Sequence, residues 1–282
     1  MSVLTINKLT SSVGAEVTGV DPDRLATDDG LATAILEALE DNGVLVFHDL
    51  YLNPEAQVAF CERLGEIDRS ADGHHAVSGI YPITLDKSKN KAAEYLKATF
   101  DWHIDGCTPS APDDCPQKAT VLTALQVAAH GGETEFANSY AAYETLTEGD
   151  KERYAGLRVV HSLEASQRRV YPDPTPEQLT RWKSRPTHEN PLIWTHRSGR
   201  RSLVLGASAD HIVGMDLDEG RSLLAELLEH STMPDKVYSH SWSVGDTVVW
   251  DNQGVLHRAA PYEPNSPREM LRTTVLGNEP IQ

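Results

Sequence analysis

Short apolar bursts, few of them at helical spacing, make up most of this chain. Residues 3–20 alternate in two bursts, Val3-Leu4-Thr5-Ile6 and Ala15-Glu16-Val17-Thr18-Gly19-Val20, around Gly14, which predicts paired strands. Leu31, Ile35, Leu36 and Leu39 then recur at helical spacing behind a cap at Asp28 or Asp29. Gly43 closes that helix before an apolar run over 43–47 that reads as a buried strand. Asn53-Pro54 opens a second helix with Val58, Cys61 and Leu64 on one face. Strands are further predicted over 119–127, 157–160, 192–194, 202–205, 237–242, 247–250 and 270–276. A helical stretch is expected around 140–154, and the clearest helix over 218–229, where Leu223, Leu224, Leu227 and Leu228 form the inner face.

Two segments break the pattern. Residues 68–99 are polar and rich in Gly, Ser and Lys, with one strand at 81–85, and read as a lid or binding loop. Residues 167–190 carry four prolines and read as a surface insertion. Many short strands and a few helices, without regular βαβ alternation, predict a mainly β fold with flanking helices: an antiparallel sandwich or barrel in one domain over 1–282.

Composition narrows the partners. In 282 residues, 25 Lys+Arg stand against 42 Asp+Glu, a formal charge of -17, so phosphate backbones and anionic bilayers are repelled and nucleic acid is excluded as a partner. No apolar run approaches the roughly 20 residues that span a membrane, and the N-terminus has no basic region ahead of an apolar one, so a cytoplasmic protein is expected. Cys61, Cys107 and Cys115 are odd in number and unpaired in spacing, which supports neither a disulfide framework nor a thiolate zinc site.

Candidate chemistry centres on the histidines. In Phe100-Asp101-Trp102-His103-Ile104-Asp105, an extended backbone would put His103 and Asp105 on one side, where an imidazole and a carboxylate can meet one metal ion. Twelve histidines give about one His-x-Asp by chance, so a surface pair is the plain alternative. A second candidate, His257, follows the apolar strand and polar turn of Val248–Gly254, where a satisfied core histidine would also fit. Third, Arg268 and Arg272 are four apart, so in a strand both would share a face with Thr274 and Leu276 and would need anionic partners. Together, two histidines and a carboxylate form the facial triad that suits non-haem Fe(II), and a fixed arginine suits bidentate capture of a cosubstrate carboxylate. A zinc hydrolase could use the same His/Asp/His set, and a non-catalytic β-sandwich binding an anion could hold the same arginines.

The sequence resembles the TauD/TfdA family of Fe(II)- and 2-oxoglutarate-dependent dioxygenases. The resemblance runs through Trp102-His103-x-Asp105, Gly131-Gly132-Glu133-Thr134, Trp250-Asp251-Asn252 with His257, the Arg268/Arg272 pair ahead of Val275-Leu276-Gly277, and the N-terminal 14–20 segment. It implies a double-stranded β-helix, or jelly roll, with Fe(II) held by His103, Asp105 and His257. It implies that Thr134 and Arg268 hold the far carboxylate of 2-oxoglutarate, and that Arg272 faces the anionic head of a small organic substrate. The implied reaction consumes O2 and yields succinate, CO2 and a hydroxylated product, with Asp105 marking a hydroxylase rather than a halogenase. Thr99 stands where taurine-using members have asparagine, and Leu163 is the nearest counterpart of their aromatic residue; for their loop histidine, counting from His103 favours His74 while counting from Leu85-Asp86 points to Ser70. The substrate class is therefore open among sulfonates, sulfate esters and carboxylates. The resemblance also implies a homo-oligomer, dimer or tetramer.

Overall fold

The computed structural model describes residues 4–69, 75–108 and 115–282. Among these, the first half of the chain supplies strands β1 (Thr5–Lys8), β2 (Ala15–Thr18), β3 (Val44–Phe47), β4 (Tyr81–Ile83), β5 (Ala119–Gln126) and β6 (Thr134–Asn138). The second half supplies β7 (Arg158–His161), β8 (His188–Pro191), β9 (Ile193–Thr195), β10 (Arg201–Leu203) and β11 (Ala209–Ile212), followed by β12 (Val237–His240), β13 (Thr247–Asp251), β14 (Val255–Ala259) and β15 (Glu269–Val275). The helices are α1 (Pro22–Leu25), α2 (Asp29–Asn42), α3 (Pro54–Leu64), α4 (Ser139–Glu144), α5 (Glu148–Tyr154), α6 (Leu163–Val170), α7 (Pro176–Lys183) and α8 (Leu217–Ser231), with a 3-10 helix over Ala93–Phe100.

Seven strands pair in the order β1-β2-β3-β13-β5-β15-β4, and three pair as β12-β6-β14. The two sheets enclose a common core: Val44, Val46, Leu122, Val248, Trp250 and Met270 from the large sheet meet Phe136 and Val255 from the small one. On the opposite face of the large sheet, Leu45, Phe47, Val121, Val249 and Leu271 pack under Ile35 and Leu39 of α2 and Phe60, Cys61 and Leu64 of α3. Burial on both faces explains the uninterrupted apolar run of β3. A third cluster joins Leu223, Leu224 and Leu227 of α8 to Leu192, Trp194, Leu203 and Leu256, and it includes Trp102.

Local signals set several boundaries as expected. The Asp28 carboxylate accepts from Leu31 N at 3.0 Å, and Gly43, at φ +70°, donates to Leu39 O at 2.7 Å, so α2 starts and stops where its caps stand. Asn53 caps α3 by accepting from Ala56 N at 2.8 Å, with Pro54 first in the helix. Elsewhere the structure differs. The helical stretch of 140–154 is two helices, because Thr147 caps α5 on Asp150 N at 3.1 Å. Residues 167–190 are more ordered than their composition suggests: they complete α6, form α7 and begin β8, mostly exposed or half-buried, with Gln167 and Trp182 buried. Pro176 opens α7 behind a capping box of Thr175 and Gln178, so there a proline begins a helix instead of marking a loop. The polar 68–99 stretch contains β4, which pairs with β15, and most of the 3-10 helix. β15 ends at Val275, so Leu276 does not share a strand face with Arg272 and is 40% exposed.

Candidate active site

Residues 102 and 103 run extended beside β14. His103 N donates to His257 O at 3.0 Å and His257 N donates to His103 O at 2.9 Å, an antiparallel bridge that fixes the two backbones together. The other side of the segment is closed by Gly206, at φ +117°, where a Cβ would come within 2.8 Å of His103 Cα, so only glycine permits the approach. The imidazoles of His103 and His257 consequently face each other with ring centres 4.2 Å apart. Asp105, two residues on, places Oδ1 3.8 Å from His103 Nε2 and Oδ2 3.8 Å from His257 Nε2. One ligand atom from each of the three lies within 4.8 Å of the others, too far for hydrogen bonds throughout and close enough for one divalent ion to gather them. His103 Nδ1 sits 2.9 Å from Asp101 O, an outer contact that fixes the ring and turns Nε2 inward.

The protonation states suit metal binding. Burial pushes the His257 imidazolium down to about 3, with the neighbouring His103 adding to the effect, so this ring is neutral near pH 7. For Asp105, burial works upward, but His257, Arg272 and His103 outweigh it and hold the carboxyl below its ordinary range. Arg272 Nη1 lies 3.8 Å from Asp105 Oδ2, and its guanidinium stands 4.9 Å from the Tyr81 ring centre. Neither buried cysteine favours the thiolate a metal would need: burial pushes the Cys107 thiol up to about 12 and raises Cys61 as well.

Arg268, immediately before β15, is 2% exposed and forms no ion pair among the described residues. Its Nε has no hydrogen-bond partner, and its guanidinium rests 4.9 Å from the Tyr262 ring centre. Burial lowers its pKa, although Tyr262 and Glu133 act the other way. The glycines of the 131–134 motif make room for it, since a Cβ on Gly132 would come within 3.1 Å of Arg268 Cδ and Nε. Thr134, buried at the start of β6, accepts from Trp242 Nε1 at 2.9 Å. A buried guanidinium without a carboxylate is costly unless an anion meets it, so the pocket fits a ligand carboxylate such as that of a 2-oxo diacid.

A cavity of ≈ 700 Å³ opens on His103 and Asp105 and is lined in part by Tyr95, Thr99, Leu163, Gln167 and Ser208. The sequence-derived Thr99 and Leu163 thus border the same space as His103 and Asp105. Thr99 Oγ1 already donates to Leu96 O at 2.6 Å, which leaves the oxygen as an acceptor. His74 and Ser70 lie outside the described residues. Sequence reasoning missed Tyr81, Tyr262 and Trp242, since an aromatic residue carries no signal of which arginine or hydroxyl it will meet. It also missed His161, fully buried behind the cavity wall with Nδ1 2.9 Å from Ser208 Oγ.

His161 carries a pH prediction. Burial pushes its imidazolium down to about 4, with His188 adding to the effect. The folded pKa is below the ordinary value near 6.5, so the neutral ring's contribution is complete above about pH 6.5 and is lost as pH falls toward 4, by roughly 3 kcal/mol at most. Urea midpoints at pH 7.5 and 5 should therefore differ less in His161→Gln than in the parent; an unchanged difference would contradict this account.

Residues 5–274 match the family described as "Taurine catabolism dioxygenase TauD, TfdA family". The chain belongs to the TauD/TfdA family. It is 36% identical over 273 residues to the alpha-ketoglutarate-dependent 2,4-dichlorophenoxyacetate dioxygenase of Burkholderia sp. (strain RASC), covering 90% of each chain. It is 31% identical to the alpha-ketoglutarate-dependent sulfate ester dioxygenase of Pseudomonas putida, covering 99% of this chain and 91% of that one. The crystal structure of AAD-2 in complex with Mn(II) and N-oxalylglycine superposes with a TM-score of 0.82 at 31% identity, over 99% of this chain and 100% of that one. This TauD/TfdA member is a 2-oxoglutarate-dependent non-haem iron dioxygenase with the jelly-roll fold of its relatives, acting with Fe(II), 2-oxoglutarate and O2. The zinc hydrolase and the non-catalytic sandwich find no support among these relatives. Among the described residues, no helix is long and apolar enough to cross a membrane.

Proposed function

We propose that His103, Asp105 and His257 hold Fe(II), that Arg268 and Thr134 hold the far carboxylate of 2-oxoglutarate, and that the prime substrate is an aryloxyalkanoate-type carboxylic acid. The observation that carries the site reading is the buried Arg268, without an ion pair among the described residues, in the same chain as a compact His/Asp/His cluster. The substrate reading rests on the cavity, whose lining near the metal cluster includes Leu163, Ala98 and Ala207 for an aromatic ring. It is supported by relatives at 36% and 31% identity that carry the names of a 2,4-dichlorophenoxyacetate dioxygenase and an (S)-phenoxypropionate dioxygenase.

The chain's own residues have distinct tasks in this reading. Neutral His257 and ionised Asp105 present ligand-ready atoms without further proton loss. Arg272 draws the substrate carboxylate inward, and the cavity walls keep the ring over the metal cluster. The bound iron, with 2-oxoglutarate and O2, supplies the oxidising power for hydroxylation. If the carbon between the ether oxygen and the carboxylate is hydroxylated, the product is a hemiacetal or hemiketal. Its new hydroxyl loses a proton as the bond between that carbon and the ether oxygen breaks, and the departing phenolate takes up a proton, giving a phenol and a 2-oxo acid.

The test is succinate formation by anaerobically Fe(II)-loaded protein after oxygen is admitted, across aryloxyacetates, both enantiomers of aryloxypropionates, alkyl sulfates and taurine. The expected result is strongest stimulation by an aryloxyalkanoate, with phenol released one for one with succinate. Coupled turnover of an alkyl sulfate or taurine alone would sink the substrate assignment. Arg272→Lys keeps a cation beside Asp105 but loses the forked donors, so it should raise the substrate KM by roughly tenfold while leaving the 2-oxoglutarate KM nearly unchanged.

A further inference from the structure

We infer that Trp242 is a positioning residue for the cosubstrate: its indole N–H fixes the rotation of the Thr134 hydroxyl so that the hydroxyl proton is presented to a carboxylate. The inference rests on the placement of Thr134 in the 2-oxoglutarate site. A threonine hydroxyl has one proton and two acceptor positions, whereas an indole nitrogen can only donate. The 2.9 Å contact from Trp242 Nε1 to Thr134 Oγ1 therefore has one possible direction. With that acceptor position occupied, Thr134 can still donate, and its Oγ1 makes no donor bond to protein among the described residues. The hydroxyl is thereby set up as a hydrogen-bond donor toward an anion.

The fold holds the indole for this task. In the β12–β6 register His240, the last residue of β12, lies opposite Thr134, and Trp242 follows two residues beyond the strand end, where its indole reaches the Thr134 hydroxyl. His240 stands edge-on to the Trp242 ring, with centroids 4.6 Å apart and planes at 85°. His240 is itself held, with Nδ1 3.1 Å from Tyr238 Oη and Nε2 3.1 Å from Asp246 Oδ2. Asp246, 1% exposed, closes the turn after Trp242 by accepting from Ser243 N at 2.9 Å and lies 2.8 Å from His48 Nδ1. The indole is thus braced by His240 at the end of β12 and by the following turn, and none of the contacts named in this brace involves His103, Asp105 or His257.

The experiment is a double-mutant cycle read by calorimetry, with Mn(II)-loaded protein titrated with N-oxalylglycine so that no turnover occurs. Trp242→Phe keeps an aromatic ring against His240 and loses the N–H. It should weaken binding by about 3- to 10-fold, the worth of one hydrogen bond that orders a charged contact, and Thr134→Val should weaken it by about 10-fold. In the Thr134→Val background, Trp242→Phe should cost less than about 2-fold, because the group it orients is gone. Trp242→His, which retains a ring N–H, should recover part of the loss and serves if the phenylalanine variant folds poorly. A full penalty for Trp242→Phe in both backgrounds, or none in the parent, would overturn the inference while leaving Thr134 in the site. An unchanged affinity in Thr134→Val would instead remove Thr134 from the cosubstrate site and the inference with it.

Discussion

Asp105→Ala should lose Fe(II) affinity by well over 100-fold and lower succinate formation to background, while the apo fold survives. The wild-type cluster combines one carboxylate with two imidazoles, and the positive Arg272 lies 3.8 Å from that carboxylate. Removing Asp105 leaves Arg272 as the nearest formal charge, so an approaching dication meets net repulsion where it met near neutrality. Loss of an outer-shell partner alone typically costs 10–100-fold in metal affinity, and Asp105 would be a direct ligand. The fold survives because His103 and His257 are held by their backbone bridge and not by the carboxylate. The check is Mn(II) or Co(II) binding by calorimetry beside a thermal melt of the apo protein. Wild-type turnover in the variant would remove Asp105 from the metal site.

Arg268→Ala should raise the 2-oxoglutarate requirement by about 100-fold or more, with the metal affinity little changed, because a forked, charge-assisted contact in a dry pocket is lost. The same change should not destabilise the apo protein in the way truncation of a paired buried arginine would. Arg268 is 2% exposed, its Nε is unbonded and it has no ion pair among the described residues, so in the unliganded fold its desolvation is offset only in part, by Tyr262 and Glu133. In the parent, a saturating cosubstrate analogue with Mn(II) should raise the melting temperature, by the equivalent of about 2.7 kcal/mol at 100-fold excess over Kd. In Arg268→Ala that ligand-induced shift should largely vanish while the apo melting temperature holds or rises. A sharp fall in apo stability with the ligand shift intact would show that Arg268 serves the fold and not the cosubstrate.

Much of this was legible in the chain. His103, Asp105, His257, Arg268 and Arg272 were all singled out by residue type and spacing, and the caps Asp28, Asn53 and Gly43 placed α2 and α3 closely. These signals are local: an N-cap bonds a backbone group within three residues, and an i, i+2 pair shares a side whenever the backbone is extended. The helices within the polar 167–190 segment were not legible, because composition alone cannot tell a loop from an amphipathic helix whose few buried residues, Gln167 and Trp182, pack on tertiary neighbours.

What the sequence determined by itself is the periodicity of the strands, the helix ends, and the inventory of ligating and anion-binding side chains. What only the tertiary structure decided is their company. A bridge between residues 103 and 257, separated by more than half the chain, brings the imidazoles to 4.2 Å. The packing of Gly132 beside Arg268 accompanies a buried guanidinium that has no ion pair among the described residues, and the turn after β12 brings Trp242 against Thr134. Such contacts depend on sheet register and on which faces are driven together by burial of apolar surface. Both are properties of the whole folded chain, set by the sum of many weak interactions and carried by no short stretch of residues.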